Sequence, residues 1–254
     1  KKLGIECRYA DPSDPNNFEK LIDNRTRCFY AETLPNPYLR VFPIKEVSDI
    51  GRKHNIPLIM DNTASPVICK PLDHGAAVVV HSLTKFIGGH GTVIGGGIID
   101  GGNFDWTSNP KRQPLFNEPD ASYGGVKWGE VVPQLTGANV SFAVRARVCL
   151  LRDLGAPLAP DNAWGIIQGL EKAPLRMKQH CSNAEKAGFL VMRSNFFSSA
   201  IMKTSVISKE FRDRYLSDPK HPNVFNGRAV VFEGPEDYHK RLNSKKLKIN
   251  EKSI

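Results

Sequence analysis

The sequence predicts an α/β domain on a mostly parallel sheet with helices on both faces, followed by a short α+β tail. Two observations carry that prediction. Strand-like runs alternate with helical ones through the first hundred residues, which is the pattern of βαβ units. Leu58 to Met60 and Ala77 to His81 are continuous apolar runs ending in polar residues, as strands covered on both faces require.

Taken in order, Ile5 to Tyr9 reads as a strand, and Asn16 to Ile22 as a helix entered through Asp-Pro. Thr26 to Ala31 is a β-branched and aromatic run and is expected to be a strand; Ile44 to His54 carries apolar residues at helical spacing. Strands are expected at Leu58 to Met60, Ala77 to His81 and Thr92 to Ile99, the last two separated by a glycine-rich turn. Trp128 to Leu151 and Asn162 to Ala187 are the long helical stretches, with Asp161 as the expected cap of the second. In the tail, Gly227 to Phe232 reads as a short strand before a Gly-Pro stop, and Glu236 to Leu242 as a helix.

With 254 residues and 40% hydrophobic content, the chain is long enough to bury a core of one or two domains. The net charge of +9 invites a nucleic-acid reading, but thirteen Lys and Arg against seven Asp and Glu lie after residue 187. Most of the excess therefore sits in the tail, with no aromatic-interleaved basic helix or zinc signature beside it. Solvated surface is the expectation, without nucleic acid or membrane as partner. Five scattered cysteines with no C-x-x-C pair point to reduced thiols and a cytoplasmic address. His74, His81 and His90 lie close in sequence, yet no carboxylate or thiolate completes a ligand set at useful spacing, so no metal is expected. The glycines from Gly88 to Gly97 lack the G-x-G-x-x-G strand-to-helix order of a dinucleotide site.

The chemistry concentrates in His81-Ser82-Leu83-Thr84-Lys85-Phe86-Ile87-Gly88-Gly89-His90-Gly91 and in Asp61-Asn62-Thr63. Both follow buried strands, and the carboxyl edge of an open α/β sheet is where ligands bind. A lysine amine condenses with an aldehyde only as the free base, which a cationic or desolvated neighbourhood favours. A pyridine ring is an electron sink only when its nitrogen is protonated, which a nearby carboxylate promotes. Ser82 and Thr84 offer hydroxyls two residues apart on one side of an extended segment, suited to a phosphate. Plainer readings stand beside these: a lysine after a strand as a solvated end, Asp-Asn-Thr as a turn or cap, and Asn36-Pro37 as a turn.

Over a longer stretch the motifs form a set. Leu3-Gly4-Ile5-Glu6, Glu32-Thr33-Leu34-Pro35-Asn36-Pro37, Asp61-Asn62-Thr63, the lysine run, Asp100-Gly101-Gly102-Asn103-Phe104-Asp105-Trp106, Asn162-Ala163-Trp164 and Leu175-Arg176-Met177 follow one another in a recognisable order. Residues 1–187 resemble the Cys/Met-metabolism (trans-sulfuration) family of pyridoxal-phosphate enzymes. The resemblance implies a fold-type-I, aspartate-aminotransferase-like large domain with pyridoxal 5'-phosphate as cofactor. It implies that Lys85 forms the Schiff base and moves protons, that Asp61 pairs with the pyridine nitrogen, and that Ser82 and Thr84 hold the phosphate. Asn36 is implied at the ring's phenolic oxygen, with Thr63 behind Asp61. The implied activity is γ-replacement on O-acetylhomoserine by sulfide or a thiol; cystathionine γ-synthase or γ-lyase chemistry and a catalytically inert chain are the alternatives. Relatives of this type are homo-oligomeric and build each site from two subunits.

The same resemblance implies that the domain is truncated: the chain opens inside the cofactor domain, and the small C-terminal domain with its carboxylate-binding arginine is not recognised. From about residue 188 the pattern changes. Ala200 to Ser205 and Gly227 to Tyr238 resemble part of the C-terminal domain of the dihydroxy-acid and sugar-acid dehydratases. The iron-sulfur cysteines of that family lie elsewhere, and no cysteine follows Cys181, so the tail, 188–254, is expected to be structural.

Overall fold

The computed structural model describes residues 3–37, 39–186, 189–192 and 200–203. Contacts along the backbone divide the chain into a unit of residues Lys1–Asn183 and a second of Ala184–Ile254.

The first unit is built on a four-stranded sheet of β1 (Phe29–Glu32), β2 (Leu58–Asp61), β3 (Val78–Ser82) and β4 (Gly96–Asp100), in that spatial order. The first three strands are parallel; β4 runs antiparallel to β3, pairing Ser82 with Gly96 and Val78 with Asp100. The helices are α1 (Asn16–Lys20), α2 (Ile44–Lys53), α3 (Pro114–Asn117), α4 (Trp128–Thr136), α5 (Ser141–Arg145), α6 (Pro160–Glu171) and α7 (Ala173–Lys186).

Strand alternation sends side chains into two cores. Leu58, Met60 and Val79 join Phe29, Val47 and Ile56 on the face covered by α2. Val78 packs on the other face with Trp106, Phe116 and Trp128, with Ile59 and Val80 at its margin. A sheet covered on both faces explains why β2 and β3 read as unbroken apolar runs. Helix α2 forms because Ile44, Val47, Ser48 and Gly51 recur on one stripe, and that stripe is the buried one.

Several elements differ from expectation. Residues 5–9 form no strand; the segment is tied instead by Arg8 to Glu6 and Asp23, and by Arg25 to Glu6. The stretch from Trp128 to Leu151 breaks at Gly137, whose left-handed backbone (φ 70°) ends α4, and resumes as α5 and a π-helical turn, Ala146–Arg152. The stretch after Asn162 is two helices, because Pro174 has no N–H to continue the α6 ladder. Asp161 is not the cap of α6: Ala159 holds that position, Pro160 opens the helix, and Asp161 lies in its first turn.

In the second unit, β5 (Phe189–Met192) and β6 (Ala200–Lys203) pair antiparallel. The strand expected at Gly227 to Phe232 and the helix at Glu236 to Leu242 lie outside the described residues.

Candidate active site

The carboxyl ends of β1, β2 and β3 lie side by side, and the candidate residues leave from them. Parallel register aligns Tyr30 with Ile59 and Asp61 with Val80. Period-two alternation then puts Tyr30, Asp61 and Ser82 on one face, opposite to Met60 and Val79.

Asp61 is held at both ends of its polar surface. Its Oδ1 accepts from the Thr63 amide at 2.8 Å, its Oδ2 accepts from the Tyr30 hydroxyl at 3.3 Å, and its carbonyl accepts from the Thr33 amide at 2.9 Å. The turn reading of Asp-Asn-Thr is thus structurally correct, and it leaves the carboxylate half-buried at the sheet edge. Asn62 anchors the following loop, donating to Cys69 O and accepting from Ser65 Oγ. Thr63 does more than back Asp61. Its Oγ1 accepts from the Ser82 amide at 2.7 Å, so this residue joins the end of β2 to the end of β3.

Ser82 is half-buried, and its hydroxyl has no hydrogen-bond partner among the described residues. Thr84 is differently placed: its hydroxyl donates to Gly95 O at 3.3 Å and accepts from Gly95 N at 3.0 Å. A hydroxyl has one proton to give, so Thr84 serves a phosphate only by releasing that long bond. Lys85 follows in an exposed turn whose frame is set by the backbone, Lys85 N to Ser82 O at 3.2 Å and Gly89 N to Lys85 O at 2.8 Å. Asn36 lies in the exposed loop leaving β1, preceding a cis Asn36-Pro37 bond, with no hydrogen bond to the other candidates. The structure therefore links Asp61, Thr63 and Ser82 directly, and Lys85 through Ser82. Thr84 is tied to the start of β4, and Asn36 stands apart.

Two neighbours went unassigned in the sequence. Tyr30 reaches Asp61 from the adjacent strand; burial and then the Asp61 charge raise its hydroxyl's pKa. Only strand register, a long-range property, brings them together. His81 has its Nδ1 buried without a partner, and burial lowers its pKa, opposed by Asp61. Among the described residues no group of three or more His, Cys, Asp or Glu could hold a metal ion, and no helix is long and apolar enough to cross a membrane.

These residues suit a pyridine aldehyde phosphate in the chemistry they offer: a primary amine in the turn after β3, a carboxylate at the carboxyl end of β2, and an unpartnered hydroxyl on the same sheet face as that carboxylate. Comparison with known proteins leads the same way. Residues 1–196 match the model of the Cys/Met metabolism PLP-dependent enzymes. An O-acetyl-L-homoserine sulfhydrylase of Leptospira meyeri is 45% identical over 225 residues, covering 85% of this chain and 50% of its own. The homocysteine synthase of Schizosaccharomyces pombe is 40% identical over 256 residues, covering 97% of this chain and 56% of its own. Among solved structures, a Campylobacter jejuni protein described as an O-acetylhomoserine (thiol)-lyase superposes with a TM-score of 0.66 at 39% identity. That match spans 73% of this chain and 45% of the other, whose crystal carries a pyridoxyl-lysine phosphate. The chain spans about half the length of the curated relatives it matches.

Proposed function

This chain belongs to the Cys/Met metabolism PLP-dependent enzyme family, and from that membership we propose that it serves γ-replacement on O-acetylhomoserine, with sulfide or a thiol as the incoming group. Pyridoxal phosphate supplies, when bound, an electron sink for charge that develops on carbons next to the substrate nitrogen. The rest falls to the chain. Lys85 provides the amine that holds the cofactor aldehyde and afterwards carries protons at the substrate α- and β-carbons. Asp61 keeps the ring nitrogen protonated, and Thr63 holds the Asp61 carboxylate in place through its amide. Ser82 donates its free hydroxyl to the phosphate. Thr84 joins it after exchanging Gly95 O for a phosphate oxygen, and Asn36 donates to the phenolic oxygen.

The observation that carries this reading is the Thr63 bridge. One residue fixes both the carboxylate of Asp61 and the amide of Ser82, three positions ahead of Lys85. A relay of that kind suits a ligand that must meet a carboxylate, a hydroxyl and an amine at once. The test is direct: incubate the chain with pyridoxal phosphate, reduce with borohydride, and map the label by mass spectrometry. A pyridoxyl group on Lys85, absent from Lys85→Ala, is expected. Label spread over surface lysines, with none enriched at Lys85, would remove the proposal. Homocysteine formation from O-acetylhomoserine and sulfide then tests the substrate pair.

Cytoplasmic residence is part of the same proposal, on the scattered, unpaired cysteines. For residues 188–254 a structural tail is proposed. Its resemblance to the dehydratases has a competitor, since the Schizosaccharomyces pombe match extends over 97% of this chain and favours a tail that continues the same family.

A further inference from the structure

We propose that Arg176 is a positioning residue for Lys85, clamping the turn that presents the amine; this rests on the reading of Lys85 given above. Arg176 lies on the first turns of α7, about ninety residues from that turn in sequence. Its Nη1 donates to Phe86 O at 2.7 Å, and its Nη2 to Ile87 O at 2.9 Å and to Gly169 O at 2.7 Å. All three acceptors are main-chain carbonyls. Two of them belong to the residues immediately after Lys85, and the third to the last turns of α6. One planar guanidinium thus ties the lysine turn to the α6–α7 junction, a geometry that a single ammonium cannot reproduce.

The space around the clamp is shaped to the same end. A Cβ on Gly169 would collide with the carbonyl oxygens of Gly88 and Ile87, so α6 and the turn approach closer than any side chain allows. A Cβ on Gly89, whose φ is +75°, would run into the Arg176 guanidinium itself. The turn rests on α6 from one side and on Arg176 from the other. The guanidinium also lines, with Lys85, Phe86 and His180, an open groove of about 350 Å³. Helix capping explains only the Gly169 contact. It does not account for two donors aimed at Phe86 and Ile87, nor for a half-buried cation whose Nε is left without a partner.

The clamp matters because lysine is long and flexible. With its own amide and carbonyl engaged by Ser82 and Gly89, and the next two carbonyls held by Arg176, the Lys85 Cα cannot wander. Fixing that origin removes much of the orientational entropy that condensation with an aldehyde must otherwise overcome.

Hydrogen exchange and reductive trapping on the full chain test this. In Arg176→Met, the amides of Gly88 and Gly89 are expected to exchange on the order of tenfold faster or more, while those of β2 keep their wild-type rates. The yield of pyridoxyl label on Lys85 at limiting pyridoxal phosphate is expected to fall by about tenfold. Arg176→Lys, which keeps the charge but reaches fewer carbonyls, should recover part of both, and it carries the comparison if the methionine variant fails to fold. Unchanged exchange in the turn, or equal acceleration in β2, overturns the clamp. So does faster exchange with undiminished labelling, since the turn would then move without consequence for the amine. If the wild-type chain takes no label, the reading of Lys85 falls and positioning falls with it, whereas normal labelling lost only in the variants is the signature of the clamp.

Discussion

The core between α2 and the sheet and the turn between β3 and β4 are neighbours held by different forces. In the first, Val47, Ile56, Leu58 and Met60 are all but sealed from solvent, and burial of apolar area is the main source of stability. In the second, Lys85 and Phe86 are exposed and Ile94 is 74% exposed; only Ile87 and Gly88 are buried. Main-chain hydrogen bonds, glycine contacts and one guanidinium maintain the turn's shape. On the proposed role of Lys85, the segment offers an amine to a ligand and cannot be stabilised by hiding it. Directional bonds to its backbone leave the side chain free.

Four experiments break or sharpen that contrast, in decreasing order of their effect on stability. Leu58→Ala, in the sealed core, should cost ~2–5 kcal/mol in urea unfolding; a loss below about 1 kcal/mol would mean that this core is not the anchor. Gly169→Ala presses a methyl group against carbonyls that have nowhere to go, and about 1–3 kcal/mol is expected. The same variant should become more susceptible to proteolysis between Thr84 and Gly91. Intact resistance there would show that the turn does not depend on α6.

The third concerns pH. Burial lowers the His81 pKa from 6.5, so as pH falls the unfolded chain takes up the proton first. Its contribution is therefore present above about pH 6.5 and is lost as pH drops through that value toward its folded pKa. The melting temperature of the wild type should decline over that interval, and His81→Asn should flatten the decline; parallel curves would exonerate the sheet edge. Last, Lys85→Ala should leave stability within about 0.5 kcal/mol, because an exposed side chain without a bond to the protein adds little. A larger loss would show that the amine is a structural group.

Local signals made part of this molecule legible. The stripe Ile44, Val47, Ser48 and Gly51 marks α2 directly, and the apolar runs at β2 and β3 announce strands with two covered faces. Asp61, Ser82 and Lys85 stand out because each follows such a run at the sheet's carboxyl edge. The strand expected at 5–9 failed because apolar and aromatic residues license a strand without supplying its partner; Tyr9 is 91% exposed. Tyr30 was invisible because its approach to Asp61 depends on the register of β1 against β2. Thr84 looked equivalent to Ser82 until the backbone of Gly95 occupied its hydroxyl.

The strands β1 to β3 with helix α2 between the first two, the family and the residue types able to do its chemistry are encoded locally, in periodicity and in motifs a few residues long. Which of those residues touch was settled by folding alone: the bridge from Thr63 to Ser82, and the reach of Arg176 to Phe86 and Ile87. Each such contact joins a side chain to a main-chain atom that every residue carries, so no side-chain pattern marks the partner until the chain has closed upon itself.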